Sequence, residues 1–146
     1  EITMIDPRSF GKVELQPDET RLGPDAMAIS TEELLPVFHD TTASVKSLLL
    51  DQTRIAGLGN LLCDEITWRS GVDPQRAGHT LEPADVERLA SVIRATIEDL
   101  SSRGGSHMGD LQQQRHQGGT CPKDGVALTR GTVAGRTTWW CPEHQL

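Results

Sequence analysis

Residues 50–65 read LDQTRIAGLGNLLCDE, and this stretch is the most informative part of the sequence. An apolar segment ends at the short turn Gly57-Leu58-Gly59, and Asn60 stands where a new helix begins. Such a turn leaves backbone N–H groups free at a helix N-terminus, which suits them to bind a phosphate. Asn60 is also a favoured N-cap, because its side-chain oxygen accepts hydrogen bonds from those N–H groups. The turn is therefore predicted to bind a phosphate, with a simple helix cap at Asn60 as the alternative.

The apolar positions around this turn predict four helices. A capping box formed by Ser30 and Glu33 opens the first helix. Gly71 is a plausible stop for the third helix, and Pro83 is suited to the first turn of the fourth. The four helices are expected at about residues 30–38, 42–51, 60–70 and 83–101.

The two ends of the chain have a different character. Loose alternation of apolar residues over 2–15 predicts a hairpin, whereas the polar, Gly- and Gln-rich residues 103–119 predict a mobile linker. Short β-like pieces at 126–129 and 137–140 predict a second hairpin near the end. The expected fold is mainly α, with a β-domain remnant and connector at 1–28, a helical domain at 29–102, the linker at 103–119 and a β-hairpin unit at 120–146.

Charge and cysteine content narrow the class of protein. The formal net charge of −7 argues against a protein that coats nucleic acid non-specifically. The segment from Arg103 onward nevertheless carries five basic and three acidic residues, so a local basic surface remains available for binding. Three cysteines do not form a disulfide framework, and no membrane span or signal peptide is recognisable. A cytoplasmic location is therefore expected.

The last segment has the spacing of a zinc ribbon. Two knuckles, each with two residues between the candidate ligands, are separated by sixteen residues. Four side chains are placed to bind a tetrahedral Zn²⁺: Cys121, Asp124, Cys141 and His144. The alternative is a metal-free hairpin stabilised by the packing of Trp139 and Trp140. Cys63 lies in an apolar helical stretch and is predicted to be a buried thiol.

These motifs together resemble the C-terminal half of the formamidopyrimidine-DNA glycosylase and endonuclease VIII family of base-excision repair enzymes. The helical part is similar to that family's helix–two-turn–helix domain over 46–52, 56–60, 64–65 and 69–74. The tail is similar to its zinc finger through 135–138 and the closing Gln145, and residues 6–11 resemble the end of its N-terminal β domain. Three departures stand out: Asp124 and His144 replace cysteines, and Ser9 replaces a common arginine.

The resemblance implies a set of DNA contacts. Lys46 and Asn60 would contact phosphates beside the lesion, with the backbone at Gly59 in support, and Arg136 would reach the same phosphates from the hairpin. Arg8 and Phe10 would fill the gap left by an extruded base. Each assignment has a simpler alternative: an exposed lysine at Lys46, a cap at Asn60, an ion pair between Arg136 and Glu143, and a plain turn at Arg8 and Phe10.

The function implied by the resemblance is DNA binding in base-excision repair, as the DNA-binding half of a bifunctional glycosylase and AP lyase that acts on oxidised bases. The expected partner is damaged or abasic double-stranded DNA, the expected cofactor is Zn²⁺, and a nucleoid-associated monomer without membrane contact is expected. No catalytic residue is assigned, because the family nucleophile is an N-terminal proline and this sequence begins with Glu1. Two alternatives remain: a non-enzymatic DNA-binding or scaffold protein, and a zinc-ribbon protein-interaction module.

Overall fold

A computed structural model describes residue 16 and residues 18–146; the predicted hairpin at 2–15, with Arg8 and Phe10, lies outside the described residues. The longer elements are α1 (Thr31–Phe38), α2 (Val45–Leu50), α3 (Asn60–Ser70), α4 (Pro83–Ser102), β1 (Thr129–Val133) and β2 (Arg136–Trp140). Short 3₁₀ helices lie at Glu19–Arg21, Gly78–Thr80, Ser106–Met108 and Gln112–Gln114. The mainly α class with a C-terminal hairpin is therefore confirmed. Among these helices, none is long and apolar enough to cross a membrane.

The helix ends follow ordinary capping chemistry. The Ser30 hydroxyl accepts from the Glu33 N–H, and the Glu33 carboxylate accepts from the Ser30 N–H, so α1 begins with the predicted capping box. Gly71 ends α3 in the left-handed conformation at φ 71°. Pro83 occupies the first turn of α4 as predicted.

Helix α2 is shorter than predicted. It begins at Val45, with Ser44 as its N-cap, and not at residue 42. The preceding residues pair with the loop after α3, because Gly78 N–H donates to the Ala43 carbonyl and His79 N–H to the Thr41 carbonyl. These backbone bonds hold residues 41–44 extended and compete with helix formation.

The four α-helices enclose one apolar core, which we call the helical core. Helix α4 packs against α1 and α3, and α2 closes the other side of α3. The core includes side chains with no exposed surface from every helix: Leu34, Val45, Leu49, Cys63, Ile66, Leu89, Ala90 and Ile93. The periodic residues of the predicted helices thus face inward.

Residues 103–146, called the tail module below, pack on α3 and α4. In the hairpin, β1 and β2 are antiparallel, with Thr129 opposite Trp140 and Val133 opposite Arg136. Ala134 and Gly135 both have positive φ, which matches a two-residue hairpin turn of primed type. The first strand begins at Thr129 and not at residue 126, because Val126 belongs to the turn of the first knuckle, where its N–H donates to Asp124 and its carbonyl accepts from Cys121 N–H.

The segment predicted as a mobile linker is packed against α3. The Glu65 carboxylate is almost fully buried and accepts hydrogen bonds from the N–H groups of Asp110 and Leu111, both at 3.0 Å. The Leu111 side chain has no exposed surface and joins a small apolar cluster with Trp68. A polar composition did not reveal this attachment, because the acceptor belongs to a distant helix.

Candidate nucleic-acid interface and metal centre

The turn before α3 is held in shape by one side chain and leaves an open face. The Gln52 amide accepts from Gly57 N–H at 2.9 Å and donates to the Leu58 carbonyl at 2.9 Å. Gly57 has φ 99°, which an L side chain rarely adopts. A Cβ added at Gly57 or Gly59 would meet no atom within 4 Å, so this side of the turn is accessible to a ligand.

Asn60 is the first residue of α3 and not its cap. Gly59 occupies the N-cap position, and none of the side chains that the structure describes caps the helix there. The Asn60 amide instead donates to the Thr137 carbonyl on β2 at 3.1 Å. The first N–H groups of α3 therefore keep no side-chain partner at the cap, while Asn60 ties the turn to the hairpin.

Lys46 was predicted to be either a phosphate contact or an ordinary exposed lysine, and the structure shows neither. Its side chain has no exposed surface, so it is neither an ordinary exposed lysine nor available for a phosphate. Its Nζ lies 2.5 Å from Asp64 Oδ1 and donates to the Thr138 hydroxyl at 2.7 Å. Burial lowers the pKa of the Lys46 ammonium, and the facing Asp64 carboxylate opposes that shift.

A second cation completes this buried group. The Arg115 guanidinium lies 2.8 Å from the other Asp64 oxygen and donates to the Thr137 carbonyl at 3.4 Å. Asp64 has no exposed surface, and burial raises the pKa of its carboxyl while the cations Lys46 and Arg115 oppose the shift. Lys46, Asp64 and Arg115, called the buried triad below, therefore join α2, α3 and the tail module.

Arg136 is exposed at the start of β2, next to the two-residue turn. Within the described part of the chain, the Arg136 guanidinium forms no ion pair within 4.0 Å, so the alternative pair with Glu143 does not form there. Arg136 immediately precedes Thr137, whose carbonyl accepts from Asn60. The exposed arginine and the open turn are thus joined through one hydrogen bond.

The four predicted metal ligands converge. The candidate donor atoms of Cys121, Asp124, Cys141 and His144 all lie within 4.8 Å of one another. Closer contacts within the group are 3.1 Å from Cys141 Sγ to Asp124 Oδ2, 3.3 Å from His144 Nδ1 to the same oxygen, and 3.4 Å from Cys121 Sγ to His144 Nδ1. Tetrahedral zinc at about 2.0–2.3 Å from each donor would separate the donors by about 3.3–3.8 Å. The group has the size of a zinc site.

The chemistry of the donors also fits a divalent cation. His144 Nε2 is 3.0 Å from the Trp68 carbonyl, so a proton on Nε2 leaves the Nδ1 lone pair directed into the group. A hydrogen bond from the Val126 N–H holds the pKa of Asp124 at about 2, which keeps this carboxylate anionic. Burial raises the pKa of Cys141 to about 11, so metal binding must displace its proton.

Helix α3 supports this group from outside. The Trp68 indole N–H donates to Cys121 Sγ at 3.3 Å, and its ring lies under the Lys123 ammonium at 4.7 Å. The Gln145 side chain accepts from Cys141 N–H and donates to the Val72 carbonyl. Sequence reasoning did not assign Trp68, Asp64 or Arg115 to the site, and it assigned Lys46 only as a phosphate contact. The buried carboxylate at Asp64 lies in the quoted stretch, but its partners are distant in sequence.

An open glycine turn at a helix N-terminus, a hairpin with an exposed arginine joined to that turn, and a converging Cys₂AspHis group define a helix–two-turn–helix domain with a C-terminal hairpin unit that could hold a metal ion. The family described as the formamidopyrimidine-DNA glycosylase H2TH domain matches residues 22–110, which is more than half of the chain. The chain belongs to the formamidopyrimidine-DNA glycosylase family.

Individual relatives agree with this assignment. The chain is 33% identical to the formamidopyrimidine-DNA glycosylase of Roseiflexus sp. over 162 residues, covering 96% of this chain and 59% of that protein. The enzyme of Paracoccus denitrificans is 32% identical over 165 residues, covering 97% and 59%. The chain thus spans about three-fifths of the length of these relatives.

Solved structures of similar proteins share the fold of this chain. The Lactococcus lactis enzyme in complex with DNA containing an abasic site superposes with a TM-score of 0.76 at 25% identity, over 87% of this chain and 52% of that one. A structure of MutM with DNA containing carbocyclic 8-oxo-G gives a TM-score of 0.75 at 26% identity, over 87% and 52% respectively.

Proposed function

We propose that this chain is the DNA-binding part of a base-excision repair glycosylase and AP lyase that acts on oxidised bases. The observation that supports the proposal is the hydrogen bond from Asn60 to Thr137, which joins the open turn to the residue that follows the exposed Arg136. Two phosphate contacts from separate elements position a duplex without reading its sequence. The chain is proposed to bind one damaged or abasic duplex as a monomer associated with the nucleoid.

The two contacts have complementary chemistry. At the turn, the free N–H groups of α3 and the positive end of its dipole attract a phosphate, and Gly59 leaves room for close approach. At the hairpin, Arg136 offers a guanidinium fork that matches phosphate oxygens. The DNA complexes of similar proteins support damaged or abasic DNA as the partner.

The test is a titration of the protein into a labelled duplex that contains an abasic-site analogue, with binding measured by fluorescence anisotropy at several salt concentrations. We expect Arg136→Ala to weaken binding about tenfold and to reduce the slope of log K against log salt by about 0.9. Arg130→Ala is the matched control, because Arg130 is an exposed arginine on the other strand of the same hairpin. Equal losses in both variants would contradict the proposed contact.

We further propose that Zn²⁺ binds to Cys121, Asp124, Cys141 and His144. When bound, zinc would hold the two knuckles together and neutralise the thiolates; it would have a structural role. The convergence of the four donors and the orientation of His144 by the Trp68 carbonyl support this proposal.

Zinc content after purification without added metal tests this proposal. We expect about one zinc per chain, and little in His144→Ala, because three ligands hold the ion less tightly than four. Cys63→Ala is the control, because that thiol is buried in the helical core, away from the group. Asp124→Cys should retain the metal. An unmodified chain that contains no zinc, or equal zinc loss in the Cys63 variant, would refute the four-ligand site.

A further inference from the structure

The carbonyl of Thr137 accepts hydrogen bonds from three side chains of different elements. Asn60 from α3 donates at 3.1 Å, whereas Lys46 from α2 and Arg115 from the tail module each donate at 3.4 Å. The next peptide units are held as well, because Lys46 donates to the Thr138 hydroxyl and Trp139 N–H donates to Asp64 at 3.4 Å. The strand that begins with Arg136 is therefore fixed over three successive residues.

The donors that fix this strand are themselves fixed by one carboxylate. Asp64 uses one oxygen for Lys46 and the other for Arg115, and neither Lys46 nor Asp64 has exposed surface. Arg115 is also nearly buried, with 10% of its side chain exposed. Two cations around one carboxylate give a net positive group that is shielded from solvent and lies behind the hairpin.

Such a group adds little to the free energy of unfolding, but it constrains where the elements that it joins lie relative to one another. Desolvation of buried ions offsets much of their attraction, so an apolar substitute is often as stable. A charged hydrogen bond, however, constrains direction and distance more than an apolar contact does. The retained charges therefore favour a role in setting where β2 lies relative to α3.

We propose that the buried triad is a positioning device: it sets the hairpin so that Arg136 faces the same phosphates as the open turn, and it acts on DNA only through the protein. Lys46 and Arg115 are thus positioning residues and not phosphate ligands. The effect on DNA rests on the function proposed above, whereas the effect on the hairpin does not.

Asp64→Asn gives the sharpest test, because simple electrostatics and the positioning role predict opposite changes in DNA affinity. Loss of a negative charge near a DNA surface should strengthen binding by simple electrostatics. The positioning account predicts affinity about tenfold weaker, because the cations lose their common partner and the hairpin shifts. Asp99→Asn is the control, since Asp99 is a half-exposed carboxylate on α4 paired with Arg69 and Arg103. Unchanged or tighter binding by Asp64→Asn would overturn the proposal.

A double-mutant cycle shows whether the triad acts through Arg136. Arg136→Ala should cost about tenfold in the unmodified chain but no more than about twofold when combined with Asp64→Asn. Arg115→Met supplies a second cycle in a variant that keeps the Lys46–Asp64 pair, should Asp64→Asn fail to fold. Additive losses with Arg136→Ala would indicate a direct phosphate contact and would overturn the proposal.

Hydrogen exchange without DNA separates this inference from the proposed function. In both Asp64→Asn and Arg115→Met, the amides of Thr138 and Trp139 should exchange about tenfold faster than in the unmodified chain, while the amides of α4 stay protected. Faster exchange supports positioning of the hairpin even if the unmodified chain binds no duplex. Unchanged exchange at these amides refutes positioning even if DNA binding is confirmed.

Discussion

The helical core and the tail module pack against the same helix but are held by different forces. On one face of α3, Cys63 and Ile66 join an apolar core drawn from all four helices. On the other face, Asp64, Glu65 and Trp68 bind the tail module, mostly through hydrogen bonds and ion pairs. The apolar cluster on that side is small, with Leu111, Cys121 and Cys141 packed against Trp68. The difference suggests that the core supplies stability and the polar face supplies the position of the hairpin.

The largest loss of stability should come from a cavity in the helical core. Leu89→Ala on α4 should lower the free energy of unfolding by about 2–5 kcal/mol, because the Leu89 side chain is fully buried. All three tryptophans lie at the tail interface or in the hairpin, so their fluorescence reports the tail module, whereas far-UV circular dichroism reports the helices. We expect both signals to shift together in urea.

The matched control for this cavity is Leu22→Ala, the same change at a side chain that is 53% exposed. It should alter the unfolding free energy by less than about 0.5 kcal/mol. A fluorescence transition that stays in place while the helical transition shifts would contradict the dependence of the tail module on the helical core, since the tail module would then fold independently.

An intermediate loss of stability should follow when the tail module loses the Glu65 carboxylate that accepts its hydrogen bonds. Glu65→Gln should release the segment around Asp110 and Leu111 at a cost of about 1.5–3 kcal/mol, because the charged acceptor of two backbone N–H groups is lost. Hydrogen exchange should rise at those amides and remain slow in α4. Glu87→Gln, an exposed carboxylate on α4, serves as the control. An equal rise in hydrogen exchange at the amides of the helical core would show that the helical core and the tail module open as one unit.

The smallest effect should come from the N-cap of α1. Ser30→Ala removes a capping box and should cost about 0.5–2 kcal/mol of unfolding free energy. Because α1 packs in the core, far from the hairpin in sequence, DNA affinity should stay unchanged. Ser91→Ala, an exposed position inside α4, is the matched control and should not destabilise. A loss of DNA affinity in Ser30→Ala would contradict the separation of stability from position.

Much of the helical core and the convergence of the four candidate metal ligands could be predicted from the sequence. The capping box at Ser30, the proline start of α4 and the spaced knuckles are local signals, so α1, α4 and the four donors were predicted from short patterns. Lys46 and Asp64 are eighteen residues apart, and Arg115 lies still further along the chain. No local pattern marks a buried ion group of this kind, and a lysine is normally exposed. The same reason explains why the composition of residues 103–119 predicts a mobile linker, whereas the structure packs this segment against α3.

We propose that the turn before α3 and the tip of the hairpin form one surface for a duplex. Hydrogen exchange of the unmodified chain, with and without an abasic-site duplex, tests it most directly. We predict that bound DNA slows exchange at two separate segments together, the amides of residues 59–62 and those of residues 134–137. Protection at one of these segments alone, or on the far side of α4, would contradict the claim.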